Sequence, residues 1–220
     1  MNNNNSKPEE INSNNDKIIN YYENNQIKEI LSFNDNVLEG LSQFFDEEGN
    51  LIFEINFRDG KIDGSLKMYN KKNLIMDFIF ENGELNGGCK VFSETDNNLF
   101  QLNNYKNGKL NNKSMYYNSE NGKITKEINY NIGILNGEST TYYDNGNIFE
   151  KCNYKDGKID GILKRFYLNK ITMEESEYKM GKLIKQKKFD AKGNEIKDES
   201  ITNVNKPKDF IKNLFSKKNK

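Results

Sequence analysis

Few residues in this chain of 220 amino acids are suited to catalysis. It contains no histidine, which removes the commonest general base near neutral pH and most catalytic zinc sites. Its two cysteines, Cys89 and Cys152, are far apart in segments that we interpret as strands, so we expect reduced structural thiols. No glycine-rich phosphate loop occurs. We therefore predict a protein that is not an enzyme and that has no cofactor or metal site.

Charged residues are abundant but show no catalytic arrangement. The chain has 33 basic and 33 acidic residues, a balance that does not favour nucleic-acid binding. Acidic pairs such as Glu174-Glu175 lack any sign of a deep cleft that would separate and tune two carboxyl groups. We interpret them as solvated surface.

Aromatic residues are the one set that could carry recognition. The chain has 12 tyrosines and 14 phenylalanines, and several are adjacent pairs. If one member of a pair faces the core of a strand, its neighbour faces outward. Two interpretations remain open, cross-strand packing and a surface for a partner protein. For the second interpretation the candidate residues are Tyr116, Tyr143 and Tyr167.

These aromatic residues belong to a unit that recurs about every 24 residues. A glycine opens each unit, an aliphatic residue follows two positions later, a second glycine four positions later and an aromatic residue nine positions later. The opening glycines are Gly60, Gly83, Gly108, Gly133, Gly157 and Gly181, with Asn36 in the same position one unit earlier. Asn112 and Lys185 replace the second glycine in two units.

Each unit predicts two strands of about eight residues, because apolar residues alternate with polar ones between turn dipeptides. Asn-Gly and Asp-Gly favour type I′ turns, which join antiparallel strands. The dipeptides are Asp59-Gly60, Asn82-Gly83, Asn107-Gly108, Asn121-Gly122, Asn145-Gly146 and Asp156-Gly157. One hairpin alone is not expected to be stable, so we predict an all-β, elongated antiparallel β-hairpin solenoid that forms a single coiled sheet.

The second glycine of the unit predicts a β-bulge. The aliphatic residue at the second position and the aromatic residue at the ninth are an odd number of positions apart. In a regular strand their side chains would therefore point to opposite faces. A bulge would return both to one face, which is the interpretation we favour. The alternative is a thin sheet with apolar residues on both faces.

The segment GILNGESTTYYDNGNIFEKCNYKDGKIDG, residues 133–161, resembles the bacterial MORN-repeat variant of YwqK-type proteins, which are labelled antitoxin components of toxin–antitoxin systems. The resemblance extends over residues 36–190. It implies an elongated sheet of stacked hairpins and a binding role, either neutralising a toxin or scaffolding. MORN repeats elsewhere are associated with membrane lipid contact and with protein assembly. The resemblance implies no catalytic residue, and the tryptophan that is frequent in this family is absent here.

Three regions follow from these patterns. Residues 1–18 are predicted to be a disordered, asparagine-rich N-terminus, and residues 19–198 the repeat array. Residues 199–220 form a basic tail in which Phe210, Ile211, Leu214 and Phe215 share one face of a short predicted helix. This segment is either a helix that caps the last repeat or a frayed tail, or it contacts an anionic membrane surface or a partner groove.

We expect a cytoplasmic protein, because no secretory signal or membrane-spanning apolar segment is evident. Its expected function is to bind a partner protein, for example a toxin. The alternative is a peripheral membrane scaffold that binds anionic lipid weakly.

Overall fold

The computed structural model describes residues 16–196, which form one open antiparallel sheet of nineteen strands. The predicted all-β class is therefore confirmed. No helix long and apolar enough to cross a membrane occurs within residues 16–196. The predicted C-terminal helix, with Phe210, Ile211, Leu214 and Phe215, lies outside the described residues. So does the part of the predicted N-terminal disorder that covers residues 1–15.

The strands in chain order are β1 (Asp16–Tyr21), β2 (Ile27–Asn34), β3 (Val37–Leu38), β4 (Gly40–Phe45), β5 (Leu51–Arg58), β6 (Lys61–Asn70), β7 (Asn73–Glu81), β8 (Glu84–Phe92), β9 (Leu99–Lys106), β10 (Lys109–Leu110), β11 (Asn112–Tyr117), β12 (Ile124–Asn131), β13 (Ile134–Tyr142), β14 (Ile148–Lys155), β15 (Lys158–Ile159), β16 (Gly161–Phe166), β17 (Thr172–Lys179), β18 (Lys182–Phe189) and β19 (Glu195–Ile196).

Each strand pairs with its neighbour in the chain, so the sheet is a continuous meander. The short strands β3, β10 and β15 are the first pieces of interrupted strands and pair with β2, β9 and β14. Strand β1 includes Asp16 to Ile18, which precede the predicted start of the array at Ile19, because Asp16 pairs with Phe33 and Ile18 pairs with Leu31. Three residues of the segment that was predicted to be disordered thus belong to an edge strand.

The connections between strands lie in two rows, one at each end of the strands. One row consists of two-residue turns, and we name it the tight-turn edge. Both central residues of each turn have positive φ, as a type I′ turn requires. These turns are Asp35-Asn36, Asp59-Gly60, Asn82-Gly83, Asn107-Gly108, Ile132-Gly133, Asp156-Gly157 and Met180-Gly181. The type I′ prediction is therefore confirmed for the four Asp-Gly and Asn-Gly dipeptides on this edge.

The opposite edge consists of longer loops, apart from the two-residue β6–β7 turn at Lys71-Lys72, and we name it the wide-turn edge. In the loop at 143–147 the Gly146 amide donates to the Tyr143 carbonyl at 2.8 Å, and Gly146 alone has positive φ. This is the three-residue hairpin loop, a type I turn followed by a left-handed residue. The type I′ prediction is wrong for Asn145-Gly146 and for Asn121-Gly122, because the asparagine before each glycine keeps negative φ.

The second glycine of the unit is at a bulge, as predicted. At Gly64 φ is +98°, and an added Cβ would lie 3.4 Å from the Cβ of Asn56. The Asn56 amide spans the bulge by donating to the Ser65 carbonyl at 3.0 Å, and Asn129 donates equivalently to Glu138 at 2.7 Å. Several of the many asparagines therefore have a structural function.

The bulge does not bring the aliphatic and aromatic positions to one face, so that part of the interpretation is wrong. Ile62 pairs with Phe57 of β5, whereas the Tyr69 hydroxyl donates at 2.7 Å to Glu54, which points to the other face of β5. The alternation of side chains along the strand, and not the bulge, therefore determines which face of the sheet each residue occupies. The sheet therefore carries apolar residues on both faces.

The core is a row of residues that crosses the strands midway between the two rows of turns, on the face of the sheet that includes Ile55 and Phe57. Residues of this row pair directly across neighbouring strands, for example Ser139 with Cys152 and Leu163 with Ser176. Many of them are small and all four of these are buried. In a single-layer sheet, small residues become buried when longer side chains on either side of the row cover them.

Candidate partner-binding site on the wide-turn edge

The three predicted tyrosines do not form one surface. Tyr116 lies within β11 and pairs with Gln101 and Lys126. Tyr143 and Tyr167 follow the ends of β13 and β16 and begin two consecutive loops of the wide-turn edge. All three side chains are half-buried. Only Tyr143 and Tyr167 therefore occupy equivalent positions.

Tyr143 joins its own loop to the next unit. Its hydroxyl donates to the backbone carbonyl of Phe166 at 2.7 Å, and its ring packs edge-on against Phe149 with centroids 5.2 Å apart. Phe149 is only 8% exposed. Burial of the Tyr143 phenol, with a smaller contribution from the neighbouring Tyr167, raises its pKa above the ordinary value. The hydroxyl therefore remains a neutral donor under physiological conditions.

Tyr167 repeats this contact one unit later by donating to the Phe189 carbonyl at 2.9 Å. Tyr22, at the start of the array, donates to the Phe45 carbonyl at 2.8 Å. Asparagine amides add parallel contacts, since Asn147 donates to Leu168 and Asn169 donates to Ala191, each at 3.0 Å. Side chains thus fix each of these loops to the loop that follows.

A hollow of about 330 Å³ lies between the loops at 143–147 and 167–171. We name it the loop hollow, and its lining residues are Gly146, Asn147, Ile148, Phe166 and Lys170. Apolar side chains remain exposed beside it, with Ile148 38% exposed and Leu168 58% exposed. A concave apolar site on loops that are held in place has the form of an anchor site for one large side chain.

The sequence alone does not reveal most of this site. Phe166, Ile148 and Lys170 were not candidates, and the hollow depends on how consecutive loops stack, which the repeat pattern does not specify. One signal was available in the alignment of units. Lys170 stands where the preceding unit has Gly146.

On the tight-turn edge the donors between units are backbone amides of the turn residues. Each turn glycine donates to the carbonyl of the aliphatic residue in the preceding unit, for example Gly157 to Leu135 at 2.9 Å and Gly181 to Ile159 at 2.7 Å. The Asp160 carboxylate accepts from the Met180 amide at 2.8 Å. Exposed apolar side chains on this edge include Ile132 (42%) and Ile134 (52%).

Comparison with protein families supports a MORN-repeat protein. The model described as "MORN repeat variant" matches residues 17–35, 38–59 and 135–156. The third match contains Tyr143 and part of the loop hollow, and the first contains Tyr22. No curated protein matches the chain.

Proposed function

We propose that this chain is a non-catalytic protein-interaction module that receives a side chain of a partner protein in the loop hollow. The observation that carries the proposal is the pair of exposed apolar residues, Ile148 and Leu168, beside a hollow whose loops are fixed to their neighbours. MORN repeats generally mediate protein or membrane interactions, which agrees with this function.

Fixed loops favour binding for a thermodynamic reason. Ordering a loop on association costs free energy that the complex must recover. Here Tyr143 and Asn147 already bind the next unit, so little ordering remains to be done. A partner therefore gains most of the free energy from burying its apolar anchor and from covering Leu168.

The finer proposal is an antitoxin or immunity role in the cytoplasm of a bacterium, in which the partner is a toxin. The resemblance of residues 133–161 to YwqK-type proteins supports it. The test is co-expression with the product of a neighbouring gene, followed by affinity purification and measurement of growth. We expect a stable complex and restored growth.

Two matched variants test the surface. Leu168→Asp places a charge beside the hollow and is expected to abolish the complex, because the side chain is exposed and contributes little to folding. Ile134→Asp makes the same kind of change on the tight-turn edge and is expected to leave the complex intact. Loss of binding with Ile134→Asp and not with Leu168→Asp would assign the partner to the other edge.

A second candidate function is contact with anionic lipid through the tight-turn edge. Ile132 and Met180 occupy turn positions that hold Asp or Asn in the other five turns of this edge, and both are exposed. Lys109, Lys158 and Lys182 stand beside these turns. Apolar side chains flanked by lysines suit an anionic membrane surface.

Sedimentation with phosphatidylserine vesicles tests this second function. Vesicle binding that Ile132→Asp weakens would favour the turn edge. Binding that depends only on residues 200–220 would favour the predicted tail contact through Phe210, Ile211, Leu214 and Phe215. No sedimentation of the full chain would exclude both.

A further inference from the structure

Five loops of the wide-turn edge share one backbone geometry. In each, the fourth residue has positive φ and its amide donates to the carbonyl of the first residue. These fourth residues are Asn25, Gly49, Gly146, Lys170 and Gly193. Lys170 is the only one of these five that is neither glycine nor asparagine.

Lysine is disfavoured at this position. A residue with a Cβ and φ of +69° is in the left-handed region, where glycine is unstrained and asparagine is tolerated. Residues held in such a conformation concentrate at functional sites. Lys71 and Ile132 share this conformation elsewhere in the sheet, and Lys170 differs from them because it lines the loop hollow.

The surroundings of Lys170 suggest a role for its side chain. Lys170 lines the loop hollow with Ile148 and Phe166. Within residues 16–196 its ammonium group forms no ion pair, as is true of most lysines there, so its charge is available to a partner. An unpaired positive charge thus lies at the rim of an apolar hollow.

We infer that the partner presents a carboxylate next to its apolar anchor, so that the anchor enters the loop hollow and the carboxylate pairs with Lys170. This inference rests on the proposed function. Charge complementarity of this kind selects among partners and raises the association rate more than it raises affinity. The partner segment is therefore acidic as well as apolar.

The test uses three blocked dipeptides as probes: N-acetyl-Asp-Phe amide, N-acetyl-Asn-Phe amide and N-acetyl-Lys-Phe amide. Their binding to the full chain is followed through the NMR methyl signals of Ile148 and Leu168. We expect the Asp peptide to bind about threefold more tightly than the Asn peptide at low salt, since an exposed ion pair is weak. The Lys peptide should bind least, and high salt should remove the differences.

Lys170→Gly is the decisive variant, and Lys71→Gly is its matched control. Lys71 also has positive φ, at +57°, but is on the β6–β7 turn and not in the lining of the hollow. Both variants should raise the thermal midpoint, which shows that they fold. Only Lys170→Gly should make the three peptides bind equally.

Two negative results have different meanings. Equal binding of all three peptides by the unaltered chain would overturn the carboxylate inference and leave the hollow as an apolar site. No shift of the Ile148 and Leu168 signals at millimolar peptide would overturn the hollow as the docking site, and with it the proposed function.

Discussion

The two long edges of this sheet join the same units with different groups. On the tight-turn edge, backbone amides of turn glycines reach the preceding unit, as Gly157 reaches Leu135. On the wide-turn edge, tyrosine and asparagine side chains reach the following unit, as Tyr143 reaches Phe166. On the tight-turn edge, side chains outside the turn, such as Asp63 and Asp160, also accept from turn amides, but the turn residues themselves contribute only backbone groups. The side chains of the loop residues are therefore more restricted on the wide-turn edge than those of the turn residues on the tight-turn edge.

The largest expected effect is on the wide-turn edge. Tyr143→Ala removes a half-buried ring from Phe149 and a hydrogen bond to Phe166. We expect it to lower the free energy of unfolding by about 2–3 kcal/mol, below the range for a fully buried aromatic residue. Urea unfolding measures this. Lys158→Ala, on the tight-turn edge, should change it by less than about 0.5 kcal/mol. Equal losses would remove the distinction between the edges.

A smaller change isolates the hydrogen bond from the packing. Tyr167→Phe removes only the hydroxyl that donates to Phe189 and should cost about 1 kcal/mol. The matched control is Tyr21→Phe, because the Tyr21 side chain is 58% exposed. Amide hydrogen exchange of the 167–171 loop locates the effect. If exchange quickens across the whole sheet instead, the contact supports the array rather than the loop.

The tight-turn edge should tolerate and even gain from substitution. Ile132 is a β-branched residue with φ of +47°, in a position where the neighbouring turns have Asn107 and Asp156. Ile132→Asn should therefore raise the free energy of unfolding by about 1 kcal/mol. The reverse change, Asn107→Ile, should lower it by a similar amount. A destabilising Ile132→Asn would mean that this side chain packs on its neighbours.

The repeat, its strands and the tight turns could be predicted from sequence because each depends on short-range rules. Alternation specifies strands, and Asp59-Gly60 specifies its turn by the left-handed conformation of both residues. The same rule failed at Asn145-Gly146 because a three-residue loop with one left-handed residue accepts the same dipeptide. Local sequence does not distinguish the two loop lengths.

The candidate site was less predictable because it depends on contacts between units. Tyr143 and Tyr167 were chosen as outward residues, yet their hydroxyls bind Phe166 and Phe189 of the next units. The repeat pattern does not indicate that Ile148 lies beside a hollow, because the hollow forms between two consecutive loops. Whether these residues bind a partner remains a prediction.

The last prediction compares two kinds of loop within the wide-turn edge. Asp46 begins one loop, and its carboxylate accepts from the amides of Glu48 and Asn50 at 3.0 and 2.7 Å. The Asn50 side chain, followed by these backbone amides, lowers the pKa of Asp46. Asp190 is held in the same way by Asn194, and its pKa is also lowered. The corresponding loop at 167–171 contains no carboxylate and depends on Tyr167 instead.

Acid should therefore loosen the first kind of loop and not the second. A carboxylate with a lowered pKa stabilises the fold above the pKa of the unfolded chain, and this contribution is lost as pH falls through the pKa of the folded state. NMR titration between about pH 2 and pH 6 should show the amides of Glu48 and Asn50 following the Asp46 carboxyl carbon. Asp46→Asn should abolish that response, while the amides of 167–171 stay unchanged. A parallel acid response at 167–171 would show that both loops share one source of stability.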